Sequence, residues 1–195
     1  MSKTPFYVVA LGASAGGHQA LWEFFAYLPP VSNVAFVIIQ HLKADAPSIA
    51  DQLLAKYTSI PIAWAQDQQP VQPDHIYILP PGKYMTLVDN KLQVVNRNPL
   101  NKLNRAIDIF FKSLADQQGG YGIGIILSGA GSDGTQGAIY MHQQGGQVMV
   151  QDPATADFPG MPITAIVHDH IKLICSPQKL AQAVQQLVST LKKTA

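Results

Sequence analysis

Charge is scarce in this chain of 195 residues: Asp, Glu, Lys and Arg together make up 13% of it. Thirteen basic residues stand against twelve acidic ones, a formal net charge of +1. That balance argues against a partner held mainly by electrostatics, so neither nucleic acid nor an anionic membrane surface is expected. Cysteine is nearly absent. The single Cys175 cannot close a disulfide within the chain, which fits a reducing compartment. It lies in the apolar run 171–175 and reads as a buried structural thiol. No apolar run is long enough to span a bilayer, so no membrane insertion is expected. The opening Met1-Ser2-Lys3-Thr4-Pro5 lacks a signal-peptide layout. The expected location is the cytoplasm.

What is abundant is apolar character, at 47% of residues. That suits one ordered domain with a sizeable core over 1–195. Strand-like and helix-like segments alternate along it. Strands are expected at 6–11, 34–40, 60–65, 75–79, 122–128, 147–151 and 171–175. Helices are expected at 17–28, 46–57, 101–117, 134–144 and 177–192, with a short helical turn at 162–166. Segments 84–88 and 91–95 flank Asp89-Asn90, a hairpin signal. Continuous apolar strands between helices imply an α/β fold. The expected form is a doubly wound, mainly parallel sheet with helices on both faces and one antiparallel hairpin.

The most informative segment ends the first strand. Gly12-Ala13-Ser14-Ala15-Gly16-Gly17 has the form of a nucleophile elbow, a tight turn that exposes a serine hydroxyl. The helix start behind it offers backbone N–H groups that can stabilise an oxyanion. The same residues could cradle a phosphate, or form a plain strand-to-helix loop with Ser14 as the N-cap.

In a doubly wound sheet, ligands meet the C-terminal ends of the strands. That rule selects Ser14, the pair Gln40-His41, and the loop Ser128-Gly129-Ala130-Gly131-Ser132-Asp133-Gly134. A serine hydroxyl needs a base to take its proton, and an imidazole titrates in the right range. A carboxylate then fixes the imidazole tautomer. Ser14, His41 and Asp133 could fill these roles. Asp133 or Ser132 could equally cap the helix beginning near Gly134, and the loop could hold a phosphate. The chain order Ser, His, Asp differs from the Ser, Asp/Glu, His order of ordinary α/β-hydrolases.

These pieces resemble the catalytic domain of the chemotaxis receptor methylesterases, the CheB family. Supporting matches are His75-Ile76-Tyr77-Ile78-Leu79-Pro80-Pro81-Gly82, Asp108-Ile109-Phe110-Phe111 and Gly160-Met161-Pro162. The resemblance implies Ser14 as nucleophile, His41 as base and Asp133 as the carboxylate. It implies hydrolysis of glutamate γ-methyl esters on a chemoreceptor signalling domain, and deamidation of receptor glutamines. No cofactor and no metal are implied. Ala15, Gly16 and Ala130 are expected around the oxyanion, and Arg105 and Met161 on the substrate rim. Three positions depart from the family pattern: Ala15 replaces a threonine, Ala130 a methionine, and 103–108 lacks an Arg-Pro-Ser run. No receiver domain is expected in this chain, which leaves three alternatives open: constitutive action, control by a partner such as a separate receiver or a methyltransferase, or a place as one domain of a longer polypeptide.

Other candidates are set aside. His168-Asp169-His170 has no third and fourth ligand at a recognisable spacing and reads as a solvated loop. His18 and His142 read as solvent-facing, and Trp22, Phe24 and Phe25 as packing residues. Two alternatives to the hydrolase are a nucleotide- or anion-binding module and a partner-docking relic. Against nucleotide binding, Gln40-His41-Leu42 stand where an acidic ribose ligand would follow the second strand.

Overall fold

Every residue of β1 (Tyr7–Ala13) and β2 (Val34–Gln40) is buried. A strand covered on both faces has no use for polar alternation, which is why both read as continuous apolar runs. In the computed structural model, which describes residues 6–43, 47–98, 100–168 and 171–191, these two strands pair in parallel at the centre of a seven-stranded sheet. The other members are β3 (Ile62–Trp64), β5 (Ile76–Ile78), β8 (Gly122–Ile126), β9 (Gln147–Gln151) and β10 (Leu173–Cys175). The order across the sheet is β10-β9-β8-β1-β2-β5-β3, and every neighbouring pair is parallel.

Helices cover both faces. On one side, α3 (Ala106–Gln118), α4 (Thr135–Gln143) and α5 (Gly160–His168) bury Phe110, Phe111, Met141 and Met161 against Val8 and Ala10. On the other, α1 (Gly17–Ala26), α2 (Ala50–Leu54) and α6 (Pro177–Leu191) bury Leu21, Phe24, Leu54 and Val184 against Val9 and Leu11. Successive β1 side chains point to opposite faces, so one strand feeds both cores. Each fully buried Phe or Leu contributes roughly 1.5–3 kcal/mol of transfer free energy.

Several elements differ from the sequence expectation. The hairpin gains a third strand: β6 (Lys83–Val88) and β7 (Lys91–Asn96) pair antiparallel, and β4 (Gln69–Pro70) adds to the free edge of β7. Its turn residues Asp89 and Asn90 have φ of 50° and 57°, the two positive values of a type I′ turn. The helix expected at 46–57 shrinks to α2, and residue 46 lies outside the described residues. Lys56 and Tyr57 donate to Leu53 and Leu54, three residues back, so the last turn tightens and ends. The helix expected from 101 begins at Ala106 because Asn104 Oδ1 accepts the Ala106 N–H at 3.2 Å. The short turn at 162–166 is a nine-residue helix, α5. Pro162 falls in its first turn, where the missing N–H costs nothing. Cys175 is half-buried on the edge strand β10 rather than enclosed. Burial still pushes its thiol up, which keeps it a poor nucleophile.

Candidate active site

Ser14 and His41 each follow the residue that closes a register pair, Ala13 with Gln40. They are therefore neighbours at the ends of two adjacent parallel strands, and the His41 N–H donates to the Ala13 carbonyl at 3.0 Å. On its other flank the Ser14 N–H donates to the Ser128 carbonyl at 3.0 Å, just beyond β8. From β1 the chain builds toward β2 on one side and later from β8 to β10 on the other. This reversal of strand order is where open α/β sheets leave a crevice.

The elbow is held from below. Gly16 adopts φ of 69°, a left-handed conformation that costs glycine little. Gly17 N–H closes the turn on the Ser14 carbonyl at 3.0 Å. The buried Ser128 hydroxyl donates to the Ala15 carbonyl at 2.9 Å and accepts the Phe158 N–H at 3.1 Å. Gln151 in turn accepts the Ser128 N–H at 2.8 Å. The N-cap of α1 is Gly16, with no side-chain capping bond. The reading of Ser14 as a capping serine is thereby overturned: its hydroxyl has no hydrogen-bond partner among the described residues. The N–H groups of Ala15 and Gly16 likewise lack an acceptor among them. The turn presents one free hydroxyl beside free amide donors.

Asp133 is 6% exposed and His41 18% exposed at the side chain, with His41 Nε2 2.8 Å from Asp133 Oδ2. With Nε2 donating to the carboxylate, Nδ1 is the ring nitrogen with a lone pair to receive a proton. This inverts the usual assignment, in which the carboxylate holds Nδ1 and Nε2 is the base. Asp133 does not cap α4, the role expected for it as an alternative. Its Oδ2 accepts the Ile107 N–H at 3.0 Å and its Oδ1 the Asp108 N–H at 3.0 Å, both in the first turn of α3. Its Oδ1 also accepts the Gly134 N–H at 2.9 Å. A carboxylate at a helix N-terminus is favoured by the orphan amides and by the macrodipole.

Asp108, also buried, accepts the Gly137 N–H of α4 at 2.9 Å. Burial pushes its carboxyl up from the ordinary value; the Gly137 amide pulls it down and the Asp133 charge pushes it up again. The first turns of α3 and α4 are thus both occupied by carboxylates. A phosphate entering the Ser128–Gly134 loop would meet two like charges, which counts against the anion cradle.

Beside the His41–Asp133 pair opens a cleft of about 490 Å³. Lys102, Leu103 and Arg105 before α3 line it, as do Thr164 and His168 of α5. Thr135 lies in its lining and keeps a buried hydroxyl with no hydrogen-bond partner among the described residues. Of the expected rim residues, Arg105 and Ala130 are exposed in this lining, and Ala15 and Gly16 are half-buried at the elbow. Met161 is a correction. It is 0% exposed and lies against Gly129, where an added Cβ would collide with its sulfur. It packs behind the elbow, because α5 turns its apolar face to the sheet.

Among the set-aside histidines, His18 is exposed near Trp22, which stacks on Tyr57 at 5.5 Å. His142 is also exposed. His168 Nδ1 donates to the Thr164 carbonyl at 2.9 Å, while Asp169 and His170 lie outside the described residues. The sequence reading assigned Gln151 no role, and Ser128 and Asp108 entered only as members of a strand-end loop and a family motif, without the supporting bonds they make here. Their only signal is a polar residue inside an apolar or helix-forming run, which many surface positions share.

Comparison with known proteins bears on this geometry. Residues 9–184 match the family model described as CheB methylesterase. A Rhizobium johnstonii relative named protein-glutamate methylesterase/protein-glutamine glutaminase 2 is 34% identical over 188 residues, covering 94% of this chain and 51% of its own length. A protein-glutamate methylesterase/protein-glutamine glutaminase of Trichodesmium erythraeum is 32% identical over 159 residues, covering 80% of this chain and 45% of its own. The chain thus spans about half the length of the curated relatives it matches. The crystal structure of the Thermotoga maritima CheB methylesterase catalytic domain aligns with a TM-score of 0.86 at 25% identity, covering 95% of this chain and all of that one.

Proposed function

Because the chain belongs to the CheB methylesterase family, we propose that it hydrolyses methyl esters of glutamate side chains on a chemoreceptor signalling domain. The observation that carries the reading is the 2.8 Å His41–Asp133 bond, made one register step from the free Ser14 hydroxyl. Ser14 Oγ attacks the ester carbonyl as His41 Nδ1 takes its proton. Asp133 holds the imidazolium that forms. The Ala15 and Gly16 amides face the oxygen that becomes an oxyanion. His41 returns the proton to the departing methoxide, which leaves as methanol. Water, deprotonated by the same nitrogen, then cleaves the acyl-enzyme to a free glutamate and restores Ser14. The same steps on a glutamine would release ammonia.

The reaction places the protein at the cytoplasmic signalling region of a receptor, and no helix among the described residues is long and apolar enough to cross a membrane. Regulation by a receiver domain or a methyltransferase fits this reading. The test is methanol release from a methylated chemoreceptor signalling fragment. Ser14→Ala and His41→Ala lower turnover by roughly 10⁴- to 10⁶-fold with unchanged circular dichroism. Wild-type rates in either variant would overturn the assignment of these residues, and no release by the wild type would overturn the substrate.

A further inference from the structure

Six of the seven phenylalanines are buried, and the seventh, Phe158, is 47% exposed. A lone exposed apolar ring needs no explanation by itself. This one is set apart by where its backbone is tied. The Phe158 N–H donates to the Ser128 hydroxyl at 3.1 Å, and the Phe158 carbonyl accepts the Gly129 N–H at 2.9 Å. Met161, three residues on, donates its N–H to the Gly129 carbonyl at 2.8 Å. The segment is pinned just beyond β8, so the ring keeps a fixed place although it faces solvent.

That place is beside the nucleophile. A Cβ added to Gly129 would lie 2.9 Å from Ser14 Cβ, so these two residues touch. A Cβ added to Gly16 would lie 3.1 Å from Phe158 Cδ2. The ring edge thus rests against the elbow residue whose amide is a proposed oxyanion donor. It also stands on a definite side of Ser14. In the sheet, β1 lies between β2 and β8. His41 comes from the β2 side, where its N–H donates to the Ala13 carbonyl. Phe158 comes from the β8 side, where the Ser14 N–H donates to the Ser128 carbonyl.

A tetrahedral carbon bonded to Ser14 Oγ carries three other groups. The oxyanion turns to the elbow amides, and the leaving group to the imidazole that protonates it. The acyl chain takes the remaining direction, away from His41. Resting on the function proposed above, we infer that Phe158 is the wall of the acyl subsite, its ring packing on the methylene stem of the esterified side chain. The contact selects by chain length, since a glutamyl stem offers the ring two methylenes and an aspartyl stem one. Only backbone atoms of Phe158 make the bonds that pin the segment, so its side chain can be exchanged without untying it.

The test is hydrolysis of p-nitrophenyl acetate, propionate and butyrate, whose acyl parts lengthen by one methylene at a time and which need no receptor. The rate compared is the part lost in Ser14→Ala. In the wild type kcat/KM rises about tenfold from acetate to butyrate, because each methylene laid against the ring adds a few-fold. Phe158→Ala flattens the series, and Phe158→Leu keeps most of it. The readout is a ratio within one protein, so partial misfolding, which lowers all three rates together, does not imitate it. An undiminished rise in Phe158→Ala, a flat wild-type series, or no Ser14-dependent hydrolysis of any of the three would overturn the inference. The expected series with no methanol release from the methylated chemoreceptor fragment would instead sink the proposed reaction and leave the acyl wall standing.

Discussion

Asp133 and Asp108 each cap the helix to which the other belongs or leads. Asp133, two residues before the start of α4, accepts the first-turn amides of α3 at 3.0 Å, one of them from Asp108 itself. Asp108, in that first turn, accepts the Gly137 N–H of α4 at 2.9 Å. The exchange locks two helix starts together under the strand ends. It also aims the carboxylate that holds His41. The group that orients the imidazole is therefore positioned by three backbone amides, not by a mobile side chain.

That arrangement makes Asp133→Asn a sharp probe. Asparagine keeps one oxygen for the Asp108 and Gly134 amides, but its NH₂ then faces the Ile107 N–H and His41. To bond an NH₂ donor, Nε2 must become the acceptor, which moves the ring proton to Nδ1 and removes the base. Turnover falls by roughly 10³- to 10⁴-fold, and the uncapped donor costs about 1–3 kcal/mol of stability. Methanol release and urea unfolding read the two effects. Activity within tenfold of wild type would show that His41 does not depend on this carboxylate.

Asp108→Asn isolates the second carboxyl. Its pKa is raised above 3.8 mainly by burial, with a further push from Asp133. A raised folded-state pKa means that the native protein holds this proton more tightly than the unfolded chain does. The associated stability is full below the ordinary carboxylate pKa and is lost as pH rises through the folded one. Asparagine keeps the acceptor for Gly137 and never ionises. The variant therefore gains stability relative to wild type between low and neutral pH. Urea midpoints at several pH values check this, and a flat or opposite trend would sink the account.

Ser128→Ala tests the support under the elbow. The substitution strands the Phe158 N–H and frees the Ala15 carbonyl, both held by one buried hydroxyl. The expected loss of stability is about 1–3 kcal/mol. On the proposed role of the Ala15 amide as an oxyanion donor, kcat drops while KM stays near its wild-type value. A pure KM effect would mean that the hydroxyl serves substrate binding.

How legible was this in the sequence? The strand β1, the elbow and the strand-end histidine could be read because each depends on local pattern: apolar continuity, a Gly-x-Ser-x-Gly turn, a residue just past a strand. The parallel sheet followed from alternation of elements. The role of Asp133 at the start of α3 could not be read, since Ile107 and Asp133 are 26 residues apart and only the tertiary fold joins them. The late start of α3 was missed for a different, local reason. Helix-forming propensity runs through 101–105, but the Asn104 side chain diverts it. Met161 looked like a rim residue only through its place in the family pattern, whereas burial of the apolar face of α5 turned it inward.

Two glycines of the site give a closing comparison, because both adopt positive φ but differ in surroundings. Gly16, at φ 69°, would place a Cβ 2.7 Å from Asp157 Cβ and 2.7 Å from Ser128 Oγ, neither of them the loose end of a long side chain. Gly131, at φ 87°, would place one in open space. Gly131→Ala therefore costs only the left-handed backbone strain, roughly 1–2 kcal/mol, and leaves turnover close to wild type. Gly16→Ala pays that strain and must also push Ser128 off the Ala15 carbonyl, moving the amide beside the oxyanion. A displacement near 1 Å at a reacting centre is worth about 100-fold in rate, so Gly16→Ala loses that much in kcat. Thermal unfolding and methanol release of the two variants separate strain from misplacement. Equal rates in both would mean that the amide at the elbow is not part of the chemistry.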